Sequence, residues 1–454
     1  MTFFKNGIRN HNSIKASKRT LRYLSALKTY LVQLSNSVNY SHVSKPFVIS
    51  AVIMLLLGSS IGALWMMSLF GIDLPEGFAI FFHLHKIFQI DGFITLLIMG
   101  IGYMIIPRFR NIPLPSIKLA YLSFFMILAS IGLSVVYRFI PTMDFLQTSS
   151  SILKLDGIFL FVIVILLTLR VKPKLLRLSD YFVGLSAITL IFASAIQFAG
   201  YDFNHSLASI ELWLLFPLFM IFGIEYKTLP SFLGFIRPRR LSGFVSFCLS
   251  SASLVLGIAS VIYVDNRLLQ IFFNIVLLSS ALYFGETVYA FGGYDNAELL
   301  RLIQGEKKAR YKFTVRYVKL SFLFLYIGIA MAVLFGIFYE TFAFYDLAIH
   351  IIGIGFIGTT IALYLPLMLP PVIGKVIRFT NFNSIPIILI IAALVIRAIG
   401  VFTLTLSSST SAPIFKLLIS HFIGLTGWFV LAAILIFVIM IYKSLKQLPP
   451  VLSD

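Results

Sequence analysis

The sequence predicts an all-α fold: a polytopic transmembrane helical bundle of about twelve helices with both termini cytoplasmic. Three observations predict it. First, 59% of the 454 residues are hydrophobic and only 12% are charged, an apolar excess that a water-soluble domain has no use for. Second, the apolar runs are continuous and about twenty residues or longer, the length a helix needs to cross a bilayer, whereas a β-barrel alternates in segments of roughly ten. Third, Lys and Arg collect in alternate connections and acidic residues in the others, the bias that fixes membrane orientation.

Residues 1–45 form a basic arm with Lys5, Arg9, Lys15, Lys18, Arg19, Arg22, Lys28 and Lys45. It holds no apolar core with a cleavage site, so the first span is expected to insert uncleaved. Thr20 to Leu34 reads as a short helix on anionic lipid. The membrane domain is expected at 46–443, with spans near 46–70, 78–106, 117–140, 152–170, 180–200, 206–234, 241–264, 267–291, 314–338, 345–370, 385–406 and 416–443. Residues 444–454 make a short cytoplasmic tail.

Basic connections follow the even-numbered spans: Arg108 and Arg110, Arg170 to Arg177, Arg237 to Arg240, Arg301 to Lys312, Lys375 and Arg378, Lys443 and Lys446. Acidic ones follow the odd spans: Asp73 and Glu76, Asp144, Asp202, Asp265, Glu340 and Asp346. Even-numbered helices therefore run from outside to inside. The net charge of +19 is accounted for by this topology, and nucleic acid is not an expected partner; the lipid bilayer is. A single cysteine, Cys248, makes no intrachain disulfide and reads as a small buried hydrophobe.

With that orientation, His83 and His85 open the second span, His205 precedes the sixth, His350 lies near the start of the tenth and His421 near the start of the twelfth. All five fall at the outer end of an even-numbered helix. Chance scatter between two leaflets does this about one time in thirty. The alternatives are ordinary: histidines also settle at membrane interfaces, and glycines mediate helix packing in bilayers. His205 stands beside Asp202 and Asn204 in a connection and is left undecided. Imidazole is a ligand for haem iron and suits copper, so His83, His85, His350 and His421 are the candidate ligands. Two residues apart on a helix, His83 and His85 point about 200° apart and cannot share one ion. Gln89 and Gly92 fall on the face of His85. Gly353, Gly355 and Gly358 follow His350, while Gly424 and Gly427 follow His421; a glycine beside a ligand lets a flat macrocycle approach the backbone.

Other polar residues inside spans need a reason. Arg397 is read either as a partner of a haem propionate, since a guanidinium fork suits carboxylates, or as one half of an ion pair with a protein carboxylate. Lys86 with Asp91, and Lys154 with Asp156, are read as self-neutralising pairs. Glu211 marks the outer end of the sixth span. Glu286 is read as buried, relaying protons or bonding across helices. There is no Gly-Lys-Ser/Thr phosphate loop, so no ATP is expected, no CxxCH for covalent haem, and no nucleophile elbow.

Three stretches carry a family resemblance. HLHKIFQIDGFITLLIMGIGYMIIPRF (His83 to Phe109) is similar to an HxH-initiated helix with a proline-bearing stop. IEYKTLPSFLGF resembles a sixth-helix end, with Glu225 or Tyr226 standing where an Arg is usual and Lys86 where a Glu follows HxH. IHIIGIGFIGTTIALYLPLMLPPVIG resembles a histidine- and glycine-rich tenth helix. Together they resemble the NnrS family of haem- and copper-containing membrane proteins and, more distantly, subunit I of the haem–copper oxidases. The resemblance implies a b-type haem, copper as a possible second metal, and a link to nitric oxide, nitrosative stress or small-gas redox chemistry at the cell membrane. A terminal oxidase needs six histidines including an adjacent pair, and this chain has no His-His. Two rivals stand beside this expectation: a haem b subunit of a respiratory complex passing electrons from a quinol to an outer acceptor, with a quinol or a cytochrome as the possible electron donor, and a cofactor-free secondary transporter, which predicts pseudo-symmetric halves.

Overall fold

Apolar runs of this length satisfy their backbone only as helices once in lipid, and the computed structural model has twelve helices long and apolar enough to cross a membrane. It describes residues 42–70, 80–171, 177–200, 208–233, 235–263, 266–292, 304–338, 342–373, 375–406 and 413–447. The helices are α1 His42–Leu69, α2 Ile80–Arg110, α3 Ile117–Phe139, α4 Asp144–Arg170, α5 Leu178–Phe198, α6 Ala208–Leu233, α7 Arg240–Ile262, α8 Arg267–Thr287 and α9 Gly305–Phe338. Next comes α10, built from Phe342–His350, Ile351–Gly358 and Thr359–Ile373 in succession, then α11 Ile385–Leu406 and α12 Pro413–Ser444. The chain is an all-α, multi-pass membrane bundle.

Neighbours in sequence are neighbours in space. α3 packs on α4, α5 on α6, α7 on α8, α9 on α10 and α11 on α12. Small residues set the closest approaches: a Cβ at Gly100 of α2 would lie 2.4 Å from Phe47 of α1, and one at Gly427 of α12 would lie 2.7 Å from Ala63 of α1. α1 is thus held between α2 and α12. The most enclosed spans are α2, α6 and α10. Around α6, Phe222 stacks on Phe284 at 3.9 Å and Phe182 meets both edge-on. Outward faces instead carry exposed apolar side chains such as Phe125, Val255, Leu268 and Phe422, which suits contact with lipid.

Local chemistry explains where helices end. Ser116 accepts the amide of Leu119 at the start of α3, and Asn266 that of Leu269 at the start of α8, as N-caps do. The expected stop at Pro107 is not the end of α2. The helix runs through it to Arg110 and closes at Asn111, whose φ of 52° is left-handed, a conformation Asn tolerates. α4 begins at Asp144 rather than 152, and α9 at Gly305 rather than 314, because polar first turns continue the winding beyond the apolar run. The basic arm falls almost wholly outside the described residues, and α1 already starts at His42. The tail is not featureless: Leu445–Gln447 pairs antiparallel with Lys375–Ile377, tying the end of α12 to the connection after α10.

Among the described residues, the ion pairs of Lys and Arg join different elements rather than neighbours on one helix. Lys154 of α4 bonds Asp91 of α2 at 2.8 Å and Gln197 of α5 at 3.0 Å; the expected Lys86–Asp91 and Lys154–Asp156 neutralisation is replaced by this cross-helix contact. Glu286 is half-exposed and pairs with Arg239 at 2.5 Å, so it is not a buried relay. Buried Arg110 meets Asp180 at 2.9 Å. Cys248 is exposed on the outward side of α7, not buried, because the surface there is itself apolar.

Candidate functional site

α2 and α10 share an uncommon winding. The α-helix of Ile80–Lys86 gives way to a π-helical stretch at Ile87–Thr95, and that of Phe342–His350 to another at Ile351–Gly358. Such stretches are rare and frequent at functional sites. His350 immediately precedes its π stretch, and His85 stands one residue further from its own.

The structure brings these two histidines together. Their rings are parallel within 10° and their centres are 6.3 Å apart. Each ring is fixed from behind by a carbonyl: His85 Nδ1 lies 2.8 Å from the oxygen of Gly58 on α1, and His350 Nδ1 lies 2.7 Å from the oxygen of Asp346 one turn earlier. A carbonyl oxygen only accepts, so in both rings Nδ1–H donates and a neutral imidazole keeps its lone pair on Nε2. The approach to α1 needs glycine, since a Cβ at Gly62 would sit 2.4 Å from His85 Nδ1. One turn on, Gln89 donates to Ser59 of α1 at 2.9 Å.

Both rings line a cavity of about 300 Å³ walled by α1, α2, α6, α9, α10, α11 and α12, at the lower end of the usual range for ligand pockets. Polar groups on its wall include His85, Lys86, Gln89, Asp346, His350 and Arg397. Most of the rest is apolar, with Phe93, Leu97, Leu365, Leu394 and Phe437. Gly353 lies on this wall, and a Cβ there would meet nothing within 4 Å, leaving bare backbone toward the space. Gly358 also lines it, whereas Gly92 packs against Met54 and Gly355 against Phe324.

Arg397 takes the second of its expected roles. Its guanidinium pairs with Asp346, whose other carboxylate oxygen is 3.1 Å from His350 Nδ1. Arg397 is 6% exposed, and among the described residues its Nε has no hydrogen-bond partner. The same is true of the indole Nε1 of Trp213, a fully buried residue of α6 on the cavity wall. Two orphaned donors on one wall, with Lys86 nearby on it, suit an acid group of a ligand.

The other sequence candidates fall elsewhere. His83 turns its ring edge toward Phe82 at 5.5 Å and does not line the cavity, as the 200° separation from His85 requires. His421 is half-buried on α12 and is also absent from the wall. His205 lies outside the described residues. Among the described residues, no group of three or more His, Cys, Asp or Glu side chains is placed to hold one ion. Asp346 and Trp213 join the site without a motif to mark them; the one sequence signal is that Asp346 stands one helical turn before His350. No protein-family model matches the chain, and no curated protein matches its sequence.

The residues fit a haem. A metal bonded to one nitrogen of each ring at about 2.0–2.1 Å, with that nitrogen about 1.1 Å from its ring centre, separates two ring centres by roughly 6.3 Å when collinear. The glycine on the wall admits a flat ring, and the orphaned donors suit propionates.

Proposed function

We propose that the chain is a haem-binding protein of the cell membrane that transfers electrons, and that His85 and His350 are the residues that would hold a b-type haem. The observation that supports it is the pair itself: two parallel imidazoles, each with Nδ1 committed to a carbonyl oxygen, face one cavity. When bound, the haem supplies a one-electron couple. The chain's own residues do the rest. Gly58 and Asp346 fix the tautomer and aim of each imidazole. Lys86 would offer charge to the propionates, and the Arg397 Nε and the Trp213 indole would offer donors. The apolar part of the wall keeps water from the macrocycle, which tunes its potential.

With both imidazoles as its ligands, such a haem would have no open position for a gas, which favours electron transfer over gas chemistry. A quinol or a cytochrome is the donor or acceptor class in this reading. The NnrS-type assignment, with its link to nitric oxide and possible copper, rests on the three sequence stretches alone and goes with the same proposal. Such copper would need ligands other than this pair, and His83 and His421 remain its candidates.

The test is the absorption spectrum and haem content of the purified full-length protein. A low-spin spectrum with one haem per chain, lost in His85→Ala and His350→Ala, supports the reading. A colourless protein from haem-replete cells contradicts it and shifts weight to a cofactor-free transporter.

A further inference from the structure

We propose that Asp346 is a positioning residue for His350, and that the Asp346–Arg397 pair sets the reduction potential of the bound haem; this rests on the haem reading above. Asp346 addresses the His350 imidazole twice. Its backbone oxygen lies 2.7 Å from Nδ1 and its carboxylate Oδ1 3.1 Å from the same atom. The second carboxylate oxygen holds Arg397. His85 is held differently: its Nδ1 faces the neutral carbonyl of Gly58 at 2.8 Å. The two ligands are therefore chemically unequal.

A carboxylate beside Nδ1–H strengthens Nε2 as a donor to the metal and favours the ferric state. A cation beside that carboxylate offsets the effect. The pair acts as a charge setting of two opposite signs next to one ligand. This differs from a merely structural ion pair, whose two halves fail in the same direction.

The measurement is a redox titration of the haem-loaded, full-length protein in lipid nanodiscs, with the absorption spectrum recorded alongside. Asp346→Asn keeps an acceptor at Nδ1 and removes the charge. Its haem is expected to stay low-spin while the ferrous-to-ferric ratio at fixed ambient potential rises about tenfold, a midpoint shift of about 59 mV upward for one electron. Arg397→Gln leaves the carboxylate uncompensated and is expected to move the midpoint down. The double variant is expected to return toward the wild type, and Asp346→Glu to lie between wild type and Asp346→Asn. A haem-loaded Asp346→Asn with an unchanged midpoint, or a shift in the same direction as Arg397→Gln, overturns the proposal. Should Asp346→Asn bind no haem, Arg397→Gln and Asp346→Glu decide it, and unchanged midpoints in both overturn it. A wild-type chain without haem is a separate result and removes the reading beneath it.

Discussion

His85 and His350 come from opposite halves of the chain, yet their imidazoles lie parallel within 10° at 6.3 Å between centres. Each is anchored through Nδ1 by a different helix: His85 by the Gly58 carbonyl of α1, His350 by its own α10. That arrangement makes the two residues separable by experiment from His83 and His421. Alanine at either position is expected to abolish stoichiometric haem binding. Alanine at His83 or His421, which do not line the cavity, is expected to leave it within a factor of about two of wild type, since a metal's affinity rests mainly on its ligands and the groups that orient them. Pyridine haemochrome assay of the four purified variants checks this.

The glycines divide into two groups with different outcomes. At Gly353 a side chain enters open space on the cavity wall. Gly353→Leu should fold normally and lower haem occupancy by occluding the cavity. At Gly62 even one methyl meets the His85 ring at 2.4 Å, so Gly62→Ala should displace that imidazole and weaken haem retention by about 10–100-fold, the usual range for losing a metal site's support. Haem-to-protein ratio after gel filtration, with thermal unfolding as a control for folding, distinguishes the two.

Buried charge at the other end of α2 serves stability rather than the cavity. Arg110 and Asp180 meet at 2.9 Å with side chains 4% and 10% exposed. Asp180→Ala removes the carboxylate partner of a buried guanidinium that also donates to the Val171 carbonyl, and should cost about 3–5 kcal/mol, as breaking a buried pair does. Glu286→Ala, which breaks the solvent-screened Arg239–Glu286 pair, should change stability far less than Asp180→Ala. Thermal or denaturant unfolding in detergent compares the two substitutions directly.

Orientation can be read by labelling. In a Cys248→Ser background, Thr142→Cys sits in the exposed connection between α3 and α4, and Lys375→Cys in the exposed strand after α10. The loop charges assign the first to the outside and the second to the cytoplasm. An impermeant maleimide on intact cells should label only the first; labelling of Lys375→Cys alone inverts the topology.

The bundle was legible because hydropathy is a local property. Each span is a continuous run, and its position follows from the residues within it. Ends were less legible where polar turns such as Asp144 to Ser151 or Glu306 to Lys312 extend the winding past the apolar segment. The divergence of His83 from His85 was also legible, since it needs only the helical repeat. Partners across helices were not. Lys154 finds Asp91, Glu286 finds Arg239, and Arg397 finds Asp346, pairings set by tertiary approach that sequence spacing does not carry. The switch to π winding beside His85 and His350 has no sequence mark either, and Asp346 and Trp213 read as ordinary residues near span ends.

The central claim is that His85 and His350 are joined through one haem iron. Electron paramagnetic resonance of the oxidised, purified protein tests it most directly. A low-spin ferric signal of bis-imidazole type, replaced by a high-spin signal or lost in His350→Ala, is the predicted result. A high-spin signal from the wild type, a low-spin signal that survives both alanine substitutions, or no haem signal at all would contradict it.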